Sequence, residues 1–336
     1  MAVKEEILQI LESNRGKPLS GEMLAAQFSV SRAAVWKAMQ ALKAEGYPIH
    51  AVSNRGYWLD ARSDILSAEG IKAFLPEECR EQPVLVFPVV DSTNTRGKQL
   101  AGEGASHGTA VLANAQTEGR GRRGRSFFSP ADTGLYLSLI LRPRQRIEDA
   151  LLITVAMAVA ACQAIEALSE ARPQIKWVND IYLQDKKIGG ILTEAVSDFE
   201  SGMVESLVVG IGLNVSTPES RFPEALRAAA GSFFPEGITR NQLAAEVICR
   251  LMQWQKNLAD PRLMQEYRAR FLLFGQTVSY EMNGVVRYGT VQDVNDRGNL
   301  ILRDADGAVV VLQSGEVTVR RTDRAVQNHN KQNQEE

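Results

Sequence analysis

Apolar positions recur at helical spacing from the start of the chain. Val3, Ile7, Ile10 and Leu11 share one helix face. Ser20 stands as N-cap before a short helix, Gly21 to Phe28, and Ser31 before another, Arg32 to Glu45. In the latter, Val35, Met39 and Leu42 fall at i, i+4 and i+7, and Gly46 supplies the C′ residue. "IHAV" and "YWL" then flank Ser53-Asn54-Arg55-Gly56, the pattern of a hairpin with a glycine turn. Helix, helix, turn, helix, hairpin is the order of a winged helix-turn-helix, here over residues 1–62.

Residues 63–272 carry longer apolar runs. "VLVFPVV" (Val84 to Val90), "TAVLANAQ" (Thr109 to Gln116) and "LYLSLIL" (Leu135 to Leu141) predict buried strands. Ala150 to Cys162, broken only by Thr154, predicts a buried helix opened by Glu148 and Asp149. "QIKWVNDIYL" and "KKIGGILTEAV" predict strands joined at Gln184-Asp185, and "ESLVVGIGLNV" closes the set. Hairpins next to one another argue for a mixed sheet with antiparallel pairs. Helices follow around Leu226 to Ala230 and from Gln242 to Asn257. From Thr277 to Arg320 the period becomes two. Five short strands are broken at Asn283-Gly284, Asp296-Arg297-Gly298, Asp306-Gly307 and Ser314-Gly315, which predicts a small SH3-like barrel over 273–320. Residues 321–336 form a polar tail. The fold class is therefore α+β and multidomain.

Composition agrees. A chain of 336 residues with 44% apolar content suits several domains with proper cores. "MAVKEEILQILES" carries acids inside its apolar pattern and is no signal peptide, and the Ala150–Cys162 run is too short to cross a bilayer. Cys79, Cys162 and Cys249 are odd in number and widely spaced, so no disulfide framework or metal cluster is expected, and a reducing cytoplasm fits. His50, His107 and His329 are too few for a structural zinc site.

Net charge is only −2, yet "GRGRRGR" (Gly119 to Arg125) puts four arginines into seven residues. Guanidinium groups that close repel one another unless an anion lies among them, and arginine matches phosphate and carboxylate oxygens in pairs. A glycine-rich loop that orders around an anion meets both conditions. A solvated basic loop or an RGG-like RNA contact is the plainer alternative. Gln116 ends a strand just before this loop. "DSTNT" (Asp91 to Thr95) follows another, where hydroxyls and an amide can read a small polar group or simply cap a helix. Lys176-Trp177-Val178-Asn179-Asp180, with Lys187 on the returning strand, offers a lysine that needs a counter-anion and an Asp suited to a magnesium–phosphate unit, or else a surface Asp–Lys pair. There is no P-loop, no Gly-rich Rossmann turn, and no histidine beside these motifs. In the N-terminal unit, Ser31, Arg32, Ala33, Trp36 and Lys37 open the third helix and Arg55 lies in the wing, a placement suited to DNA. The excess of five bases over two acids from Lys17 to Arg55 is modest.

"DSTN", "GRGRRGR", "KWVND" followed by "KKIGGIL", and "GIGLN", in this order after a winged helix-turn-helix, closely resemble the biotin–protein ligase family in its bifunctional form, which joins a biotin-operon repressor to the ligase. The resemblance covers residues 1 to about 320. It implies a central domain like that of class II aminoacyl-tRNA synthetases and, as substrates, biotin, ATP with magnesium, and a lysine of a biotin carboxyl carrier protein. By resemblance, Ser92, Thr93, Asn94 and Gln116 contact biotin's ureido ring and its surroundings. Arg120, Gly121 and Arg122 lie along its carboxylate–phosphate junction. Lys187 contacts the reacting oxygens of carboxyl and phosphate. Asn179, Asp180 and Asn214 serve the nucleotide side, with Asp180 holding the metal–ATP unit or positioning the incoming lysine. Lys187, Arg122 and Asp180 form the catalytic set, and no fixed protein metal site is expected. Val178 departs from the family's usual proline, and Phe127 stands where tryptophan is common. The resemblance further implies that a homodimer, formed when the adenylate stays bound, places two winged helices on operator DNA. A ligand-sensing regulator without catalysis and a lipoate-type ligase are the rival expectations.

Overall fold

The computed structural model describes residues 3–52, 55–142, 150–197, 204–282, 284–313 and 317–319. Helices α1 (Val3–Ser13), α2 (Gly21–Gln27) and α3 (Arg32–Ala44) precede the antiparallel hairpin β1 (Ile49–Val52) and β2 (Gly56–Leu59). Both expected caps form: Ser20 Oγ accepts from the N–H groups of Glu22 and Met23, and Ser31 Oγ from that of Ala34. Ile7, Leu11, Leu24, Met39, Leu42 and Leu59 close a core separate from the rest of the chain. Ser53 and Asn54 of the expected turn lie outside the described residues.

The next elements are α4 (Ala68–Lys72), β3 (Val84–Val90), α5 (Thr93–Gly102), β4 (Thr109–Gln116), β5 (Gly134–Leu141), α6 (Ala150–Leu168), β6 (Gln174–Lys176), β7 (Asp180–Leu183), β8 (Lys186–Ser197), β9 (Val204–Asn214), α7 (Glu224–Arg227), α8 (Arg240–Trp254) and α9 (Pro261–Ala269). They build one sheet in the order β3-β4-β5-β9-β8-β7-β6. Only β3 and β4 are parallel, joined by the α5 crossover, so the sheet is mixed as expected. Every residue of β5 is buried, and α6 lies in the core with α8 and α9. Long and apolar enough to cross a membrane, α6 is nonetheless mostly buried inside the chain. Glu148 and Asp149, expected before it, lie outside the described residues.

Four expectations change. β3 is the sheet's edge rather than a buried strand, with Leu85 and Val89 exposed; Pro88, which cannot donate to a ladder, is tolerated there for that reason. "QIKWVNDIYL" is not one strand: it folds into β6 and β7 around Trp177-Val178-Asn179, whose Trp177–Val178 peptide is cis. Cys79 and Cys249, far apart in sequence, meet as a disulfide pair with Cα atoms 5.7 Å apart, because the turn after α4 packs on α8. Cys162 remains free and buried. Helix α9, capped by Asp260, was not expected.

The last unit contains β10 (Thr277–Met282), β11 (Val285–Val294), β12 (Leu300–Asp304), β13 (Val309–Leu312) and β14 (Val317–Val319). These pair antiparallel in the order β13-β12-β11-β10-β14, a small SH3-like arrangement. Asn283, Ser314, Gly315 and the tail 321–336 lie outside the described residues. The sheet docks on the middle part through defined bonds. Trp177 Nε1 donates to the Gly298 carbonyl (2.9 Å), and Arg268 donates to the Val294 carbonyl (2.8 Å) and to Asp296 (2.7 Å).

The N-terminal unit is tied to the middle part with equal definition. Arg240 is 2% exposed. Its guanidinium donates to Asp64 Oδ2 (2.9 Å), the Asp64 carbonyl (2.7 Å) and Asn114 Oδ1 (2.7 Å). Asn241 donates to the Ile65 carbonyl and accepts from the Ser67 N–H. From the other side, Arg15 of the segment after α1 pairs with Glu12 and donates to the Ser63 carbonyl. A linker so fully hydrogen-bonded sets where the winged unit stands.

Candidate functional site

Two adjoining cavities open where β3, β4, β7, β8 and β9 meet the arginine-rich segment. The smaller is lined by Ser92, Thr93, Asn94, Gln116 and Arg120 from the expected site, together with Phe127 and the glycines of β8 and β9. Ser92 is the N-cap residue of α5, yet its side chain makes no capping bond. That removes the plain reading of this hydroxyl. Gln116 Oε1 instead accepts from the Thr93 N–H (2.8 Å) and its hydroxyl (3.1 Å), while Gln116 Nε2 donates to Ser129 Oγ (2.8 Å). Ser138 Oγ donates to Asn94 Oδ1 (2.7 Å). Gly210 and Gly212 of "GIGLN" are needed for close approach: a Cβ on the first would overlap Asn94 Oδ1, and on the second the Phe127 ring.

The larger cavity, about 830 Å³ with its mouth, is lined by Arg120, Gly121, Arg122, Arg125, Lys176, Asn179, Asp180 and Lys187, with Val317 and Thr318 of β14 closing one side. Among the described residues lining it, five side chains are cationic and one, Asp180, is a carboxylate. Lys187 Nζ lies 2.7 Å from Asp180 Oδ1, both half-buried. This is the Asp–Lys pair the sequence allowed, but inside the cavity rather than on open surface. Arg122 donates to Asn179 Oδ1 (3.1 Å), and Asn179 Nδ2 donates to the Ile191 carbonyl (3.0 Å). Arg120, Phe127 and Gly190 line both cavities.

The arginine segment has more order of its own than expected. The Gly121 N–H donates to the Arg125 carbonyl (2.7 Å) and the Phe127 N–H to the Gly119 carbonyl (2.8 Å), so backbone rungs fold it back on itself. Arg123 turns it at φ 54°. Asn214 lines neither cavity; its Nδ2 donates to the Gly231 carbonyl (3.0 Å) and its buried Oδ1 has no partner.

Sequence reasoning missed Glu194 on β8. Burial pushes its carboxyl up, but hydrogen bonds from Lys98 and Asn94 and the charges of Lys98 and Arg120 outweigh that and hold it below the ordinary range. Its one sequence signal is an acid inside an apolar strand. Among the described residues no group of three or more His, Cys, Asp or Glu is placed to hold a metal.

At the other end of the chain, Ser31, Arg32, Ala33, Trp36, Lys37 and Arg55 are all exposed. Arg32 and Arg55 line one groove with Ser20 and Tyr57 between α3 and the wing.

Three sequence signatures match. Residues 86–214 match the Biotin/lipoate A/B protein ligase family, residues 3–58 an HTH domain, and residues 273–320 the Biotin protein ligase C terminal domain. The chain is 32% identical to the bifunctional ligase/repressor BirA of Bacillus spizizenii over 91% of its own length and 95% of the relative's. With BirA of Escherichia coli the identity is 30%, over 91% and 94%. Among solved structures, biotin protein ligase from Aquifex aeolicus in complex with biotin and ATP superposes with a TM-score of 0.61 at 27% identity, covering 71% of this chain and 99% of that one.

Proposed function

The chain belongs to the biotin–protein ligase family in its bifunctional ligase/repressor form, and we propose that it joins biotin to a lysine of an acceptor protein with ATP and represses transcription through its winged helix-turn-helix. One observation carries the catalytic half: among the described residues lining the larger cavity five side chains are cationic and one is a carboxylate, and the cavity adjoins a smaller polar pocket that shares Arg120. That asymmetry suits a monocarboxylate meeting a polyphosphate.

The biotin carboxylate oxygen attacks the α-phosphorus of ATP. The bond to pyrophosphate breaks and biotinyl-5′-adenylate forms. An acceptor lysine then attacks the acyl carbon, and AMP leaves. In a site drier than water, two anions brought together repel by several kcal/mol unless neutralised. In this reading Arg120, Gly121 and Arg122 lie along the carboxylate–phosphate junction and Lys187 binds the reacting oxygens, its charge released from Asp180 as phosphate arrives. Ser92, Thr93, Asn94 and Gln116 hold the ureido ring. Asn179 and Asp180 serve the nucleotide; Asn214 is assigned to that side by the family resemblance alone, since it lines neither cavity. Magnesium travels with the phosphates and would need only one carboxylate, for which Asp180 fits. Folding the arginine segment over the anhydride keeps water from it.

The repressor half rests on the exposed row from Ser31 to Lys37 with Arg55 and on the defined joint at Arg240. We take the units as 1–62, 63–272 and 273–320 with a polar tail to 336, the cytoplasm as the compartment, and a homodimer of the adenylate-bound form as the species on operator DNA. Incubation with biotin, ATP and a biotin-acceptor domain should add one biotin to the acceptor lysine, read by mass spectrometry. No mass gain would remove the ligase reading and leave a non-catalytic sensor, and gain with lipoate alone would change the substrate. Gel shifts with biotin and ATP should show a preferred site upstream of biotin genes, and their failure to do so would end the repressor claim.

A further inference from the structure

Glu194 has no place in the chemistry just described, yet the structure spends three donors on it. Its carboxylate receives Lys98 Nζ at 2.8 Å and Asn94 Nδ2 at 2.9 Å, and Arg120 Nη1 stands 3.4 Å away. The side chain is 19% exposed and belongs to β8, in the middle of the sheet. A carboxylate there loses much of its hydration, which is unfavourable unless partners replace the water. An ion pair anchoring α5 to the sheet would need Lys98 alone. The other two partners belong to the smaller cavity.

The first is Arg120, the one arginine lining both cavities. A guanidinium on a flexible stem has many orientations, and one fixed carboxylate beneath it selects among them before any ligand arrives. The second is Asn94. An amide can present either its oxygen or its nitrogen. Because Nδ2 is drawn to Glu194 and to the Leu192 carbonyl (3.0 Å), Oδ1 is left against Ser138 and over Gly210, a lining residue of the pocket. The pocket therefore meets an acceptor at this position. A cyclic urea carries N–H donors on its ring, so that polarity matters for recognition.

We infer that Glu194 is a positioning residue of the biotin pocket, holding Arg120 at the shared rim and turning the Asn94 amide so that its oxygen serves the ureido ring. The inference rests on the ligase reading above. It makes Glu194 act through two contacts rather than through substrate. Glu194→Gln keeps an oxygen for the Asn94 amide but gives up the charge that steers Arg120. Glu194→Leu gives up both.

The test is steady-state acceptor biotinylation with the full chain, varying biotin and ATP separately, with thermal unfolding measured alongside. Glu194→Gln is close to isosteric and should raise the biotin KM about tenfold, with kcat and the ATP KM within about twofold and the unfolding midpoint unchanged, as loss of one charge-assisted contact predicts. Glu194→Leu should raise the biotin KM further. In an Arg120→Ala background the Glu194→Gln penalty should shrink to within about threefold, since the partner it steers is gone. An unchanged biotin KM in Glu194→Gln would overturn the inference. So would biotin and ATP KM values rising in step, which marks general loosening, or a penalty that persists in full without Arg120. Parent protein that biotinylates nothing would instead bring down the ligase reading on which this one stands.

Discussion

Arginine is used in two contrasting ways in this molecule. At the start of α8, Arg240 is sealed in, and its donors end on Asp64 and Asn114, groups the fold itself provides. In the Gly119–Phe128 segment the side chains of Arg120, Arg123 and Arg125 are exposed, and Arg120, Arg122 and Arg125 line a cavity whose described lining holds one carboxylate. Arg120 pairs with Glu194 at 3.4 Å and still lines both cavities. The first arrangement has no capacity left for a ligand and serves as a joint. The second presents its cations to a cavity, where a polyanion can reach them. What separates a structural from a functional arginine here is whether its side chain is sealed inside the fold or lines a cavity that a ligand can enter.

The largest expected effect comes from breaking the joint. Arg240→Met strands a carboxylate and an amide oxygen that the guanidinium now satisfies, and should destabilise the folded chain by about 3 kcal/mol in denaturant unfolding, as other disrupted buried pairs do. An arginine in the loop should behave in the opposite way, leaving stability intact while changing chemistry. Lys187→Ala, which removes a charge at the reacting centre, should slow adenylate formation by more than about tenfold in a single-turnover assay. A parent-like rate would show that the Asp180–Lys187 pair is only structural. Arg122→Gly should speed release of the adenylate by about tenfold and so label bystander lysines. An unchanged dissociation rate would make the loop resemble the joint. Lys37→Ala, at the far end of the molecule, should weaken DNA binding only a few-fold at moderate salt and flatten the salt dependence by about one charge, with ligation untouched. The smallest effect is in the wing. Asp60 is held down to about 2 by the backbone N–H of Arg62 and then by His50. Because that value lies below its ordinary 3.8, the carboxylate stabilises the wing above the ordinary value, and the contribution is lost as pH falls toward 2. A carboxyl titration by NMR in the ordinary range would contradict this.

Much of this was legible in the sequence because it was local. Caps at Ser20 and Ser31, the glycine breaks of the last unit and the period-two strands around them are written within a few residues of one another. The loop and its cavity were legible as charge against composition. What could not be read depends on residues brought together from afar. β3 looked like a buried strand because its apolar run does not say that nothing pairs with its outer side. Arg240 reads as an ordinary residue at a helix start, and only folding puts Asp64 and Asn114 beside it. Glu194 lies 100 residues from Asn94, and Cys79 lies 170 from Cys249. The turn in Lys176–Asp180 was hidden because valine, not a turn residue, stands at its centre.

The central claim is that the loop arginines neutralise the charge that would keep biotin and nucleotide apart. A crystal structure of this chain with biotin and ATP tests it most directly. Arg120 and Arg122 should both lie within hydrogen-bond distance of carboxylate or phosphate oxygens, with Lys187 turned from Asp180 toward the phosphate. If both guanidinium groups point into solvent while the two ligands occupy the cavities, the account is wrong.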